Sequence, residues 1–244
     1  MLNHISGMPQ WSIILFIISF LFSISFIGRP AKKAALDAGF PLNKAKNIKM
    51  GIFMFFVVYL LYVSLLTFKG FFDINVLPPP VMIWAALPFG LILFGYIGNT
   101  GLFKKLLQSV SLESLITLHI FRIVGIFFVI IYCYGLFPAR FAFFAGLGDV
   151  ITALFAWPVA KMASNKKPGW KIAVVAWNIF GIMDIVDLLI VAVLSASTGK
   201  MREIGLFPFV WFPAFAPAII LFLHTLVFRK LNQLKKVSPA MPNP

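Results

Sequence analysis

The sequence predicts an all-α, polytopic membrane protein: a bundle of seven transmembrane helices with its N-terminus outside and its C-terminus in the cytoplasm. Composition is the first of three observations behind this prediction. Of the 244 residues, 61% are hydrophobic and only 11% are charged, whereas a soluble domain has about 25% charged residues. So few charges cannot cover a water-exposed surface, which excludes a soluble enzyme. The other two observations are seven long apolar stretches and an uneven distribution of cations.

Each apolar stretch approaches the roughly 20 residues that a helix needs to cross a bilayer. A β-barrel strand would instead show about 10 residues of alternating polarity. Because the separating segments are short, we expect a single domain over residues 1–230 and a short, basic, disordered cytoplasmic tail over 231–244. The predicted spans are 11–27, 50–68, 81–98, 112–136, 138–160, 172–194 and 207–228.

The cations fix the predicted orientation. Sixteen Lys and Arg residues follow spans one, three, five and seven, and four follow spans two, four and six. Cytoplasmic loops carry an excess of Lys and Arg, so the N-terminus is expected outside. A cleaved signal peptide over residues 1–25 is the alternative for the first span, but its leading segment contains no Lys or Arg. We therefore expect a retained helix in a multi-pass protein of a bacterial inner (cell) membrane.

The net charge of +14 is explained mainly by this topology. The basic segment 30–49 is suited to anionic lipid, which attracts each nearby cation by about 1 kcal/mol. The expected partners are therefore the lipid bilayer, with anionic lipid near the basic loops, and an unknown small solute or ion. No interleaving of aromatic and basic residues indicates nucleic acid, and the sequence does not indicate an oligomeric state.

Spans four to seven carry nearly all the polar side chains that would lie within the bilayer, whereas spans one to three have no charge in their apolar cores. Ionisable groups at bilayer depth cost at least about 2.5–3.5 kcal/mol each, so they normally face the bundle interior and pair. We predict a polar site near the midplane, serving transport or helix packing, built from His119, Arg122, Asp149, Asn178, Asp184, Asp187 and His224.

Three of these residues, Arg122, Asp149 and Asp184, lie ten to twelve residues into their spans. At about 1.5 Å per residue this places them near the midplane. We expect Arg122 to pair with Asp149 or Asp184. Since three acids share one cation, an unpaired acid would hold its proton. Asp184 is our first choice for an exchangeable proton, with His119 or His224 passing it towards the cytoplasm.

No cofactor, metal or catalytic residue is predicted. The sequence has no Walker loop and no dinucleotide fingerprint, and its single cysteine, Cys133, excludes a cysteine-based metal centre. No span carries two histidines at i,i+4, which excludes a di-haem bundle. A two-histidine metal site built from His119, His224 and one aspartate stays open as an alternative.

Two segments resemble a group of uncharacterised bacterial integral membrane proteins. They are Gly146-Leu147-Gly148-Asp149, of the form Gly-x-Gly-Asp, and the segment from Trp177 to Asp184, of the form Trp-Asn-x-x-Gly-x-x-Asp. A late histidine, His224, precedes a short basic tail in the same group. The likeness covers roughly residues 115–230. It implies importance for Asp149, Asn178, Asp184 and His224, but no reaction.

Three functions compete. The first is a transporter or permease for a small solute or ion that uses the polar midplane site. The second is a structural or accessory subunit whose polar cluster only specifies helix packing. The third is an intramembrane metal-binding enzyme that uses the two histidines. Carboxylates at a water-accessible cavity favour the first, complete mutual pairing favours the second, and two histidines converging on an acid favour the third.

Overall fold

The computed structural model describes residues 4–73, 78–196 and 201–237, and across these ranges the chain is helical, without a strand. Seven helices are long and apolar enough to cross a membrane, which confirms the predicted number of spans and identifies an integral, multi-pass membrane protein. The spans are α1 (Gln10–Asp37), α2 (Leu42–Phe68), α3 (Met82–Asn99), α5 (Leu112–Cys133), α6 (Ala139–Ser164), α7 (Trp170–Ala196) and α8 (Trp211–Val237), and a short helix α4 (Gly101–Ser109) follows α3.

Several helices extend beyond the predicted spans, and the segment 30–49 is not the loop that was expected. Helix α1 continues to Asp37 and α2 begins at Leu42, so only a tight turn containing Gly39, at φ +81°, separates them. Helix α8 likewise runs through residues 231–237, which the sequence assigned to a disordered tail. Residues 238–244 of that tail lie outside the described ranges.

Helix α8 occupies the centre of the bundle. In its most apolar 18-residue stretch 72% of the residues are buried, against at most 50% in the other spans. Aromatic rings fill the space around its first turns: the centroid of Phe16 lies 4.8 Å from that of Phe209 and 4.9 Å from that of Phe212, and Phe128 lies 4.2 Å from Phe212. Such ring pairs add about 0.5–1.5 kcal/mol each beyond apolar burial, so the face of α1 that carries Phe16 is packed against the bundle core.

The segments rich in Lys and Arg meet at one end of the bundle. We call this end, which includes Lys105, Lys161 and Lys230, the basic face. The Lys105 ammonium lies 4.4 Å from the Phe40 ring centroid. Lys161 Nζ donates to Glu113 Oε1 at 2.7 Å, and Lys230 Nζ donates to the Gln108 carbonyl at 2.7 Å. These contacts link the ends of α1, α4, α5, α6 and α8, as expected for spans that alternate in direction.

Helix α5 changes its winding where it carries polar residues. Residues Leu118–Gly125 form a 3₁₀ stretch between two α-helical segments. With three residues per turn, side chains at i and i+3 lie directly above one another. His119 and Arg122 therefore point the same way, into the bundle, and both are fully or almost fully buried. This local geometry delivers the guanidinium to the space between α5, α6, α7 and α8.

Candidate functional site

A buried guanidinium forms the centre of the site. The side chain of Arg122 has 0% exposure, and its Nε–H donates to Asp149 Oδ1 at 2.6 Å. Its Nη2 donates to Asp184 Oδ2 in a second ion pair. The two carboxylate side chains are 5% and 7% exposed. The sequence left open which aspartate pairs with Arg122, and the structure pairs it with both, one from α6 and one from α7.

The remaining nitrogen of the guanidinium faces α7 and α8. Arg122 Nη1 donates to the Gly181 carbonyl at 3.3 Å and lies 3.2 Å from His224 Nε2. All three guanidinium nitrogens of Arg122 therefore have partners, and these partners come from three different helices. A charge-assisted hydrogen bond is roughly twice as strong as a neutral one, so this residue links α5 to α6, α7 and α8.

His224 is held by Asn178 in a two-point contact. Asn178 Nδ2 donates to the His224 backbone carbonyl at 3.1 Å, which orients the amide so that its Oδ1 faces His224 Nδ1 at 2.8 Å. A carbonyl oxygen only accepts, so the proton of the imidazole is on Nδ1. Nε2 then offers a lone pair to Arg122 Nη1. The geometry selects a neutral His224 with a defined tautomer.

His119 is the unsatisfied member of the cluster. Its ring centroid lies 4.0 Å from that of His224 and 5.0 Å from that of Trp177, which meets it edge-on. The side chain is completely buried, and neither ring nitrogen has a hydrogen-bond partner among the described residues. Buried polar atoms without partners are costly, so His119 offers an open donor and an open acceptor beside the network.

Asp187, which was predicted as part of the same site, is not in the network. It is half-buried on α7 and forms no hydrogen bond or ion pair with the described residues. The residue lies three positions beyond Asp184, or about 4.5 Å along a helix axis. This offset moves its carboxylate out of reach of Arg122. The structure therefore brings together six of the seven predicted residues.

Two glycines in the quoted motifs allow the helices to approach closely enough for these contacts. A Cβ atom at Gly148 would overlap the Asp184 carboxylate, and one at Gly181 would overlap the His224 ring and lie 3.1 Å from Arg122 Nη1. Neither glycine was among the predicted site residues. Their presence in the Gly-x-Gly-Asp and Trp-Asn-x-x-Gly-x-x-Asp segments was the signal that could have identified them.

Trp177 was also missing from the predicted site. Its Nε1–H donates to the Thr152 carbonyl at 3.0 Å, which fixes α7 against α6. Its ring contacts the rings of both His119 and His224. The indole thus forms an apolar wall of the cluster. Its position immediately before Asn178 in the second motif was the available signal.

A small cavity adjoins the ion pairs. It has a volume of about 20 Å³ and is bounded by Arg122, Asp149 and Ser23 among others, which is space for one water molecule. Ser23 and Phe121 also line a larger groove of about 500 Å³ that opens on the outside of the bundle near the basic face. The small cavity and the groove thus share two lining residues.

The described residues do not form a metal site. Nowhere in these ranges do three His, Cys, Asp or Glu side chains meet in a group that could hold an ion. His224 has Nδ1 directed at an amide oxygen and Nε2 at a guanidinium, and a metal at Nε2 would face that cation. The geometry thus disfavours the two-histidine alternative and leaves an Arg–Asp–Asp cluster flanked by two neutral imidazoles.

Comparisons with known proteins return one family. No curated protein and no solved structure matches the chain. A family model described as "Domain of unknown function (DUF8737)" matches residues 79–232, which include α3 to α7, most of α8 and every residue of the polar cluster. Since the match covers more than half of the 244 residues, the chain belongs to the DUF8737 family.

Proposed function

We propose that this protein is a transporter or permease for a small solute or ion, and that the cluster of Arg122, Asp149 and Asp184 is its exchangeable-proton site. The observation that carries the proposal is the sharing of one guanidinium by two buried carboxylates. A purely structural pair needs only one acid for one base. The second carboxylate is what gives the cluster capacity for a proton.

Charge balance supports a proton at this position. With both carboxylates ionised, the cluster has a net charge of −1, which is costly at bilayer depth. Binding one proton makes it neutral. A protonated carboxyl group attracts the guanidinium less strongly, so proton uptake loosens the hold of Arg122 on α6 or α7. Protonation is in this way coupled to helix packing, as a carrier that alternates between two packed states requires.

The proposed proton route begins at the small cavity beside the ion pairs. This cavity of about 20 Å³ is lined by Arg122 and Asp149 and has space for one water molecule that can exchange a proton with the carboxylate. His119 lies one 3₁₀ turn from Arg122 towards the basic face, against α7 and α8, and has two unpartnered ring nitrogens among the described residues. A neutral imidazole with a free donor and a free acceptor is suited to proton relay. We assign His119 this role.

A structural or accessory subunit is the second candidate. The completeness of the pairing favours it: each nitrogen of the Arg122 guanidinium has a partner, and the adjoining cavity has space for one water molecule only. On this hypothesis the cluster specifies the helix packing, and no proton moves through it.

The proposal includes the location of the protein. We place it in a bacterial cell membrane with the basic face in the cytoplasm and the N-terminus outside, because Lys and Arg concentrate in cytoplasmic segments. We treat residues 1–230 as one transporting domain. Its substrate is a small solute or ion that moves together with the proton.

Proton movement in vesicles separates the two candidates. Full-length protein would be reconstituted with an entrapped pH-sensitive dye, and the outside would be acidified with Na⁺, K⁺, a neutral sugar, an amino acid or a monocarboxylate added separately. Wild-type vesicles should acidify faster than protein-free vesicles with at least one of these additions. Asp184→Asn should abolish the difference. Asp187→Asn, the same change one turn away and outside the network, should retain it.

Two results would contradict the transporter proposal. One is wild-type acidification no faster than that of protein-free vesicles under every addition. The other is an unchanged rate in Asp184→Asn. The structural hypothesis expects both results, together with a lower thermal stability of Asp184→Asn.

A further inference from the structure

The groove of about 500 Å³ on the outside of the bundle has a polar end and an apolar end. It runs between α1 and the first half of α5, close to the basic face. No residue from the polar cluster lines it, so its chemistry is separate from that of the proposed proton site.

Two cations dominate the polar end. Arg29 and Lys33 project from α1, and neither forms an ion pair with any residue that the structure describes. The acid at this end is already neutralised, because Glu113 accepts from Lys161 Nζ at 2.7 Å and from Ser164 Oγ at 2.8 Å. The polar end therefore has two positive charges available for an anion.

Hydroxyl groups and an aromatic ring complete this end. Ser114 and Thr117 line the groove from α5. The Arg29 guanidinium carbon lies 3.8 Å from the ring centroid of Phe26, which restrains the charged group beside the groove. An anion with several oxygen atoms, such as a phosphate ester, would be met here by two cations and by the Ser114 hydroxyl, because Thr117 Oγ1 already donates to the Glu113 carbonyl at 2.7 Å.

The apolar end lies deeper. Phe22 precedes Arg29 by two helical turns, or about 10 Å along α1, and Ile120 and Ile123 line the groove opposite it. These side chains are 61%, 39% and 42% exposed on the outside of the bundle. In a membrane protein such a surface faces acyl chains.

We propose that this groove binds one anionic phospholipid, with its phosphate between Arg29 and Lys33 and one acyl chain along Phe22, Ile120 and Ile123. The order of the two ends matches the lipid, since the polar end is at the membrane interface and the apolar end points towards the bilayer centre. A water-soluble phosphate would match the polar end alone. The occupant is thus a lipid of the leaflet at the basic face.

This site differs from diffuse attraction of lipid to a basic surface. Other cations of the same helical hairpin, such as Lys44 and Lys46, do not line the groove. Lys44 instead lies over the Phe40 ring at 4.5 Å. Diffuse attraction depends on total charge, whereas the groove depends on two particular cations.

Native mass spectrometry of the full-length protein in detergent tests the proposal. Phosphatidylglycerol and phosphatidylcholine would be titrated separately. Wild type should bind one phosphatidylglycerol more tightly than any phosphatidylcholine. The double variant Arg29→Gln/Lys33→Gln should bind it about 30-fold more weakly, at about fivefold for each cation near the lipid headgroup. The control Lys44→Gln/Lys46→Gln removes the same charge and should bind like wild type.

A second variant tests the apolar end without changing charge. Ile123→Trp fills the deeper part of the groove and should also weaken phosphatidylglycerol binding, while free glycerol phosphate should not displace the lipid. Helical circular dichroism would verify that each variant is folded. The proposal is overturned by equal binding of the two lipids, by equal losses in the two charge variants, by unchanged binding in Ile123→Trp, or by displacement with glycerol phosphate.

Discussion

Removal of the Arg122 guanidinium would leave two carboxylates buried without a cation. Breaking a buried pair by deleting one member costs about 3–5 kcal/mol, so Arg122→Leu should markedly lower the unfolding temperature in detergent. Adding Asp149→Asn or Asp184→Asn removes one stranded charge and should restore part of the loss. Failure of both double variants to recover any stability would contradict the shared ion pair as the source of the effect.

The residues of this cluster were predictable because ionisable groups are expensive within a bilayer. The sequence did not show which of these residues meet, because hydropathy does not give the rotation of one helix relative to another. The pairing of Arg122 was therefore left open between two aspartates. Asp187 was included because it is an ionisable residue within the sixth span, yet it lies one helical turn beyond Asp184 and forms no ion pair with Arg122.

At the scale of helices, the close approach of α7 to α8 depends on the absence of a side chain at Gly181. Because a methyl group there would meet the His224 ring and Arg122, Gly181→Ala should destabilise the protein by about 1–3 kcal/mol through overpacking. Gly51→Ala on α2 is the matched control, since a Cβ atom there has no neighbour within 4 Å. It should be neutral or stabilising by up to about 1 kcal/mol.

Thermal unfolding of the two alanine variants in the same detergent checks this difference. Equal unfolding temperatures for Gly181→Ala and Gly51→Ala would show that α7 and α8 can separate without cost. Gly181→Ser adds a larger side chain than Gly181→Ala, so it should lower the unfolding temperature further.

The helices themselves were only partly predictable. Hydropathy detects the part of a helix that crosses the apolar layer, and it correctly indicated seven spans. It does not detect the continuation of α1 and α2 through Lys- and Ala-rich turns beyond that layer, because both residue types are good helix formers while the lysines lower the hydropathy. The nine-residue helix α4 was missed for the same reason, and the 3₁₀ stretch in α5 has no sequence signal of its own.

For the whole molecule, the asymmetry of charge predicts orientation. Reporter fusions after Thr100 and after Asn165 should read as cytoplasmic, because three and five spans precede these positions. A fusion after Gly135, which four spans precede, should read as external. Alkaline phosphatase and a fluorescent protein would serve as paired reporters. An external reading after Asn165 would contradict the orientation.

The polar network is also completed in a fixed temporal order, because its members are synthesised one after another. Arg122 leaves the ribosome with α5, Asp149 with α6, Asn178 and Asp184 with α7, and His224 only with α8. Until the following spans emerge, each early charge lacks its partners and disfavours release of its helix into lipid. The last helix to be made is the one at the centre of the bundle. A chain that stops short of it therefore exposes an open polar cleft to the bilayer.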